Sequence, residues 1–138
     1  MSFDIFLTAF DKGKKGVFDR QIAESAFKDL IDGQDDSGWY LKLPNGEPCS
    51  SYLQIEEGPE IEGFCVERPP LVPAFLDALF EVMRQTRTIL WWPSIDKPAA
   101  CYANPAVLDE LAPDEADDFE MEFVESGVDM GGWIAATG

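Results

Sequence analysis

PPLVPAFLDALFEVMRQTRTILWWP, residues 69–93, carries the clearest helix and strand patterns of the chain. Its apolar residues recur at intervals of three and four, which places them on one face of a helix: Val72, Phe75, Leu76, Leu79, Val82 and Met83. After Gln85 this spacing ends, and the β-branched, aliphatic and aromatic residues 86–92 predict a short strand buried on both faces. The sequence therefore predicts a helix that leads directly into an interior strand of a sheet.

Strand and helix patterns precede this unit. Residues 3–9 (FDIFLTA) alternate in the manner of a strand, with Phe6 on the opposite face from its apolar neighbours. Residues 17–31 predict a second amphipathic helix, with Asp19 as its N-cap. Three further strands are predicted before the central helix, at residues 38–43, 51–56 and 61–67. The connections between these strands are short and polar, which favours an antiparallel meander.

The C-terminal third carries weaker patterns. They are a short edge strand at residues 100–103, a helix at 106–111 capped by Asn104, an acidic turn at 114–118 and a final strand at 119–124. The charges of that strand suit an edge position. A glycine-rich tail follows, in which Trp133 and Ile134 are expected to fold back on the protein.

This element order predicts the α+β class for residues 1–138 as a single domain. We expect a mixed or antiparallel sheet of about five to six strands with two main helices on one face. A ferredoxin-like arrangement is the first topology that the order suggests. Residues 98–138 are assigned to the same domain as its acidic C-terminal part.

Charge is the strongest compositional feature. Acidic residues number 27 and basic residues 10, a formal net charge of −17. Residues 98–138 contain no basic residue. Such a surface repels phosphate groups, so the sequence predicts neither nucleic-acid binding nor binding to an anionic membrane. It would attract a basic protein partner, although solubility alone is also a sufficient reason for an acidic surface.

The residue types exclude most catalytic and metal chemistry. The chain has no histidine, which removes the commonest general base and most zinc sites. Cys49, Cys65 and Cys101 are widely spaced and are expected to be reduced thiols. The loop 32–38 alternates acidic and polar residues like a calcium loop, but Ser37 and Leu43 stand where an EF-hand needs glycine and glutamate. We therefore predict no cofactor and no metal.

One enzymatic alternative stays open at this point. A pair of carboxylates can hydrolyse glycosides, and Glu56, Glu57, Glu60 and Glu62 cluster around a predicted hairpin. Trp39, Trp91 and Trp92 would be the stacking surfaces. Under this alternative, the chain is a small-ligand binder or a carboxylate enzyme with a pocket between sheet and helices. Trp91 and Trp92 adjoin on one strand, so they are expected to point to opposite faces.

No apolar run approaches the roughly 20 residues of a membrane span. The opening MSFDIFL has no basic n-region and carries Asp4, so it does not read as a signal peptide. Together with the expected reduced thiols, this predicts a cytoplasmic protein.

Two segments carry a family resemblance. The opening FDIFLTAF with VFDRQIAESAF, and the block IEEGPEIEGFCVERPP, resemble a small, poorly characterised family of bacterial proteins over about the first two thirds of the chain. This resemblance brings no activity and no catalytic motif. Small acidic bacterial proteins of this sort are similar to immunity or antitoxin-like proteins, which neutralise a basic toxin by binding it.

The functional hypothesis is a non-enzymatic acidic protein that binds a basic protein partner. The predicted partner-binding residues are the carboxylates of the C-terminal part: Asp114, Glu115, Asp117, Asp118, Glu120 and Glu122. They would steer the partner by long-range attraction.

Overall fold

The computed structural model describes residues 3–137, and strands dominate it. The strands are β1 (Ile5–Asp11), β2 (Lys14–Lys15), β3 (Phe18–Asp19), β4 (Ile31–Asp35), β5 (Gly38–Lys42), β6 (Pro48–Ile55), β7 (Glu60–Ile61), β8 (Gly63–Glu67), β9 (Thr88–Trp92), β10 (Ala99–Tyr102) and β11 (Glu120–Phe123). The α-helices are α1 (Arg20–Phe27), α2 (Pro73–Gln85) and α3 (Gly127–Thr137). Three 3-10 helices complete the described chain, at Lys28–Leu30, Pro105–Glu110 and Glu115–Asp118.

A nine-stranded sheet organises the described residues, so the protein is α+β as predicted. Its strands lie in the order β11-β10-β9-β1-β8-β6-β5-β4, and β2 pairs with β1 outside this path. The β10–β11 pair is parallel and the other pairs are antiparallel, so the sheet is mixed. The prediction of five to six strands was too small. Strands β3 and β7 form a separate two-stranded sheet.

The central unit follows the predicted helix-to-strand stretch. Helix α2 connects β8 to β9, and β1 lies between these two strands. Because β1 is antiparallel to both, β8 and β9 run in the same direction. Pro73 occupies the first turn of α2, where its missing N–H costs no hydrogen bond. Strand β9 is buried along almost its whole length, as predicted.

All three α-helices cover the same face of the sheet. One buried core contains Leu7 of β1, Phe27 of α1, Leu79 of α2 and Ile134 of α3. Phe27 lies at its centre and packs its ring against the rings of Trp39, Phe64 and Phe75. Buried side chains therefore occupy the space between sheet and helices. The two helices expected on one face are joined there by a third.

Helix α3 forms in the glycine-rich tail, for which no helix was predicted. Gly127 and Gly131 allow close packing on α2: a Cβ added at Gly127 would lie 2.5 Å from Asp77 Oδ1, and one at Gly131 2.8 Å from Leu76 Cδ1. The helix also has a side-chain cap, because Ser126 Oγ accepts a hydrogen bond from the Asp129 N–H at 3.0 Å. Tertiary packing here overrides the low helix propensity of glycine.

Two other local predictions were wrong. Residues 32–35, predicted as part of a loop, and Ile31, predicted as the end of a helix, form β4, and Asp36 and Ser37 make the turn into β5. Residues 99–102 form an interior strand and not an edge, because β11 pairs with β10 on its outer side. Strand β11 is the edge instead, as its alternating charges predicted.

Among the residues that the structure describes, only half of the outer sheet face is covered. On β9 and β10, Ile89 and Ala100 are buried beneath Val107 of a 3-10 helix, with Phe119 packed beside them. The other half, formed by β1, β8, β6, β5 and β4, alternates buried inner residues with partly exposed outer ones. This second half is called the open face below.

Candidate functional site

The structure places the six predicted carboxylates along one short segment at the edge of the sheet. Asp114, Glu115, Asp117 and Asp118 lie in and beside the 3-10 helix Glu115–Asp118, and Glu120 and Glu122 lie on β11. Five of them are exposed. Glu115 is half-buried, and its carboxylate accepts a hydrogen bond from the Ala112 N–H at 2.5 Å. The segment is called the acidic edge below.

Few carboxylates of this protein are neutralised by ion pairs. Within residues 3–137, which contain all 27 acidic residues, three ion pairs form: Arg20–Glu24, Arg84–Glu81 and Arg87–Glu110. No residue of the acidic edge takes part in them. Lys97 approaches the segment, but its Nζ donates to the backbone carbonyl of Asp117, at 3.1 Å. The acidic edge thus keeps its negative charge towards solvent.

A tyrosine pair held by one carboxylate is the most organised feature of the open face. Strand pairing sets Tyr40 of β5 directly opposite Tyr52 of β6, and their ring centroids are 5.0 Å apart at 59°. Asp35, at the end of β4, accepts a hydrogen bond from each hydroxyl: Tyr40 Oη to Oδ2 at 3.0 Å and Tyr52 Oη to Oδ1 at 2.6 Å. Asp35 Oδ1 also accepts from the N–H groups of Ser37 and Gly38, at 2.9 and 3.0 Å.

These hydrogen bonds fix the protonation states of the cluster. The Tyr52 hydroxyl, followed by the Ser37 N–H, stabilises the Asp35 carboxylate and holds its pKa below the ordinary value. Partial burial, together with the hydrogen bond to Asp35, raises the pKa of Tyr52 to about 12. The same carboxylate raises the pKa of Tyr40. Near neutral pH the cluster is therefore one carboxylate with two neutral phenols, and both rings are oriented by hydrogen bonds.

A second aromatic cluster lies on the same face, where the open and covered halves meet. Phe6 of β1 stacks on Trp91 of β9 with centroids 4.4 Å apart, and Trp91 Nε1 donates to Thr8 Oγ1 at 3.1 Å. A surface cavity of about 220 Å³ adjoins them, and its lining includes Lys15, Glu56, Glu62 and Cys65. Desolvation and the charges of Asp4 and Glu67 raise the pKa of the Cys65 thiol to about 11, so it is a poor nucleophile near neutral pH.

The structure removes the stacking surfaces of the glycosidase alternative. Trp39 and Trp92 are 1% and 0% exposed and belong to the core, so neither ring can stack on a sugar. Trp91 points to the opposite face from Trp92, as predicted, but Phe6 covers one side of its ring. Glu56, Glu57, Glu60 and Glu62 are exposed, beside short turns.

Within residues 3–137, no group of three or more His, Cys, Asp or Glu side chains is arranged to hold a metal ion. Among the same residues, no helix combines the length and apolar character needed to cross a membrane.

Sequence reasoning found the acidic edge but missed the tyrosine cluster. A signal was present, because alternation along 51–56 turns Tyr52 away from the core. The partnership with Asp35 was hidden, because residues 32–38 read as a loop and not as the hairpin that carries Asp35 to the tyrosines. No protein-family model, curated protein or solved structure matches this chain.

Proposed function

We propose that this protein is a non-enzymatic binding protein for a basic protein partner. The observation that supports this most directly is the acidic edge, in which Asp114, Asp117 and Asp118 are exposed and make no ion pair within residues 3–137. Unpaired carboxylates on a chain of net charge −17 attract cations over a Debye length of about 8–10 Å at physiological salt.

By analogy with immunity proteins, the partner would be a basic toxin such as a nuclease. An acidic surface of this kind would block its active site or its nucleic-acid groove. The charges would act mainly on the rate of association, because long-range attraction steers the encounter, whereas close contacts set the rate of dissociation. A cytoplasmic location follows from the same proposal, since such inhibitors act where the toxin would do damage.

The first experiment is capture of a partner from lysate of the source cells. The immobilised protein is incubated at about 50 mM and again at about 300 mM salt, because screening separates charge-driven complexes from others. We expect a basic protein that is retained at the lower salt and weakened at the higher. Retention of no protein at either salt, or of a protein that is not basic, would overturn the proposal.

The second experiment measures association kinetics with the captured protein. The variant D114N/D117N/D118N should lower the association rate constant by roughly tenfold at about 50 mM salt and leave the dissociation rate nearly unchanged. A matched control, D29N/E47Q/E57Q, removes the same charge from exposed carboxylates outside the acidic edge and outside the strands of the open face. Equal effects of the two variants would remove the acidic edge as the steering surface.

We also propose that the centre of the sheet is a ferredoxin-like unit with additions. The strands β9, β1, β8 and β6 lie side by side, each antiparallel to its neighbour, and are linked through α1 and α2. Under this proposal β4 and β5 extend one edge of the unit, and β10 and β11 extend the other.

A further inference from the structure

The open face has three properties that point to a ligand class: it is uncovered, it carries aromatic rings, and it is acidic. Tyr40 is 51% exposed, a large value for an aromatic residue on an interior strand. The rings of Tyr40 and Tyr52 need little further ordering, because Asp35 already holds both hydroxyls. Oriented aromatic side chains are favourable docking elements, because binding costs them little conformational entropy.

Charge selects the occupant. Strand register places Asp35 and Glu67 on the open face beside the two tyrosines. Lys42 is the one basic residue in β1, β4, β5, β6 and β8, and Lys15 lies at the cavity beside Phe6 and Trp91, away from the tyrosine pair. Strand pairing sets Glu67 directly opposite Tyr52, and side chains so paired approach within about 5 Å at Cβ. Asp35 Oδ2 accepts one hydrogen bond, from Tyr40, and can accept another from a cationic donor.

The same charge argues against other occupants. A second copy of this chain would bring another formal charge of −17 to the surface. A nucleic acid would bring phosphates against Asp35 and Glu67. A guanidinium or ammonium group, in contrast, is attracted by the carboxylates and by the faces of the phenol rings.

We propose that the open face is the docking surface for a basic segment of the protein partner, with an arginine or lysine side chain of that segment against the Tyr40 and Tyr52 rings. This inference rests on the proposed function and adds a second binding surface to the acidic edge. The acidic edge speeds the approach of the partner, and the tyrosine pair retains it.

The test uses a labelled synthetic peptide of alternating arginine and glycine, with fluorescence anisotropy at about 50 mM salt. The variant Y40L/Y52L removes both rings but keeps apolar side chains in the strands. We expect it to raise the dissociation constant for the peptide roughly tenfold, and to do so through faster dissociation. Y40F/Y52F retains the rings, so it should raise the dissociation constant for the peptide less than Y40L/Y52L does.

The matched control is Y102L. Tyr102 lies on the covered half of the same sheet face, where the centroid of its ring is 5.4 Å from that of Phe123. We expect this variant to bind the peptide like the wild type. Near-ultraviolet circular dichroism checks that each variant is folded, and amide chemical shifts of the wild type locate the peptide independently of any substitution.

The outcomes separate this inference from the proposed function. Suppose that Y40L/Y52L leaves peptide binding unchanged and D114N/D117N/D118N weakens it. This result would overturn the docking surface, whereas the acidic edge would still be supported as a binding surface. Peptide-induced shifts confined to residues outside β4, β5, β6 and β8 would overturn it as well. Absence of peptide binding to the wild type would overturn the docking surface, whereas the proposed function is tested separately by the capture of a basic protein from lysate. Tighter binding of duplex DNA than of the peptide, on the same strands, would overturn the charge argument.

Discussion

Arg87 Nη1 donates to Glu110 Oε1 at 2.7 Å, and this ion pair joins the chain just before β9 to the 3-10 helix Pro105–Glu110. Glu110 is 7% exposed and is anchored on a second side. Its Oε2 accepts from the Lys12 N–H at 3.1 Å, and its backbone carbonyl accepts from the Gly13 N–H at 2.7 Å. One buried glutamate therefore fixes the β1–β2 turn, where Lys12 and Gly13 both have positive φ.

We predict that E110A destabilises the protein by about 2 kcal/mol, because it leaves the Lys12 N–H without its partner and removes a charge-assisted hydrogen bond. R87A should cost less than about 1 kcal/mol, because the Arg87 side chain is 58% exposed and water replaces its partner. Urea unfolding measures both. The neighbouring exposed residue Asp109 gives the control variant D109A. A loss of stability in D109A as large as that in E110A would contradict the role of Glu110 in fixing the β1–β2 turn.

The glycines of α3 should differ sharply in their response to alanine. At Gly132 an added Cβ meets no atom within 4 Å, so G132A should stabilise the helix by about 0.8 kcal/mol through its propensity alone. At Gly127 the Cβ would lie 2.9 Å from the backbone carbon of Leu76, so G127A should destabilise by about 2 kcal/mol. Thermal unfolding of the two variants is the measurement. Similar changes in both would mean that α3 does not pack on α2 as described.

The tyrosine cluster predicts a particular alkaline titration. The pKa of Tyr52 is raised to about 12 in the folded protein, above its unfolded value of ~10. The stability that this contributes is fully present below the unfolded pKa and is lost as the pH rises towards the folded pKa. Tyrosinate absorbance should show late titration in the wild type and earlier titration in D35N. The exposed neighbour gives the control D36N, which should titrate like the wild type.

At acid pH the same cluster should make the protein less stable as the pH falls, because Asp35 becomes protonated. The pKa of Asp35 is lower in the folded protein than in the unfolded chain. Its contribution to stability is therefore present above the unfolded pKa and is lost as the pH falls through the folded pKa. Unfolding of wild type and D35N, measured from neutral to acid pH, should converge at the acid end. If the difference in unfolding free energy between the wild type and D35N stayed constant with pH, the Asp35 charge would not be its cause.

The thiols should be protected in the folded state. Cys101 is 0% exposed, and burial raises its pKa; Cys65 has a pKa raised to about 11, so roughly a thousandth of it is thiolate at pH ~8. We expect iodoacetamide to modify both slowly in the native protein, with Cys101 the slower, and rapidly in urea. Mass spectrometry assigns the sites. Native modification of Cys101 at its urea rate would contradict its place in the core.

Local periodicity was sufficient for the central elements. Helix α2 and strand β9 were predicted from the spacing of Phe75, Leu79 and Met83 and from the β-branched run after them, because an amphipathic helix and a buried strand each impose their own period. The N-cap at Asp19 was also readable, and its carboxylate accepts from the Gln21 N–H at 2.9 Å. Capping is a contact between close neighbours in the chain, so sequence reveals it.

The missed elements depend on contacts between distant residues. Strand β4 is polar and read as a loop, yet pairing with β5 supplies its hydrogen bonds. Helix α3 contains three glycines, yet one of them, Gly127, is needed because the backbone of α2 approaches so closely. Residues 99–102 became interior only because β11 returns to pair beside them. In each case tertiary packing decided against local propensity.

The candidate surfaces divide in the same way. The α+β class and the run of C-terminal carboxylates could be predicted from the sequence, because periodicity and local composition are properties of short segments, and the net charge of −17 follows from the composition. Three facts could be learned from the fold alone: Asp35 contacts Tyr40 and Tyr52, half of the outer face stays open within the described residues, and Trp39 and Trp92 belong to the core. Those facts follow from the strand order and register, which bring residues far apart in the chain into hydrogen-bonding distance.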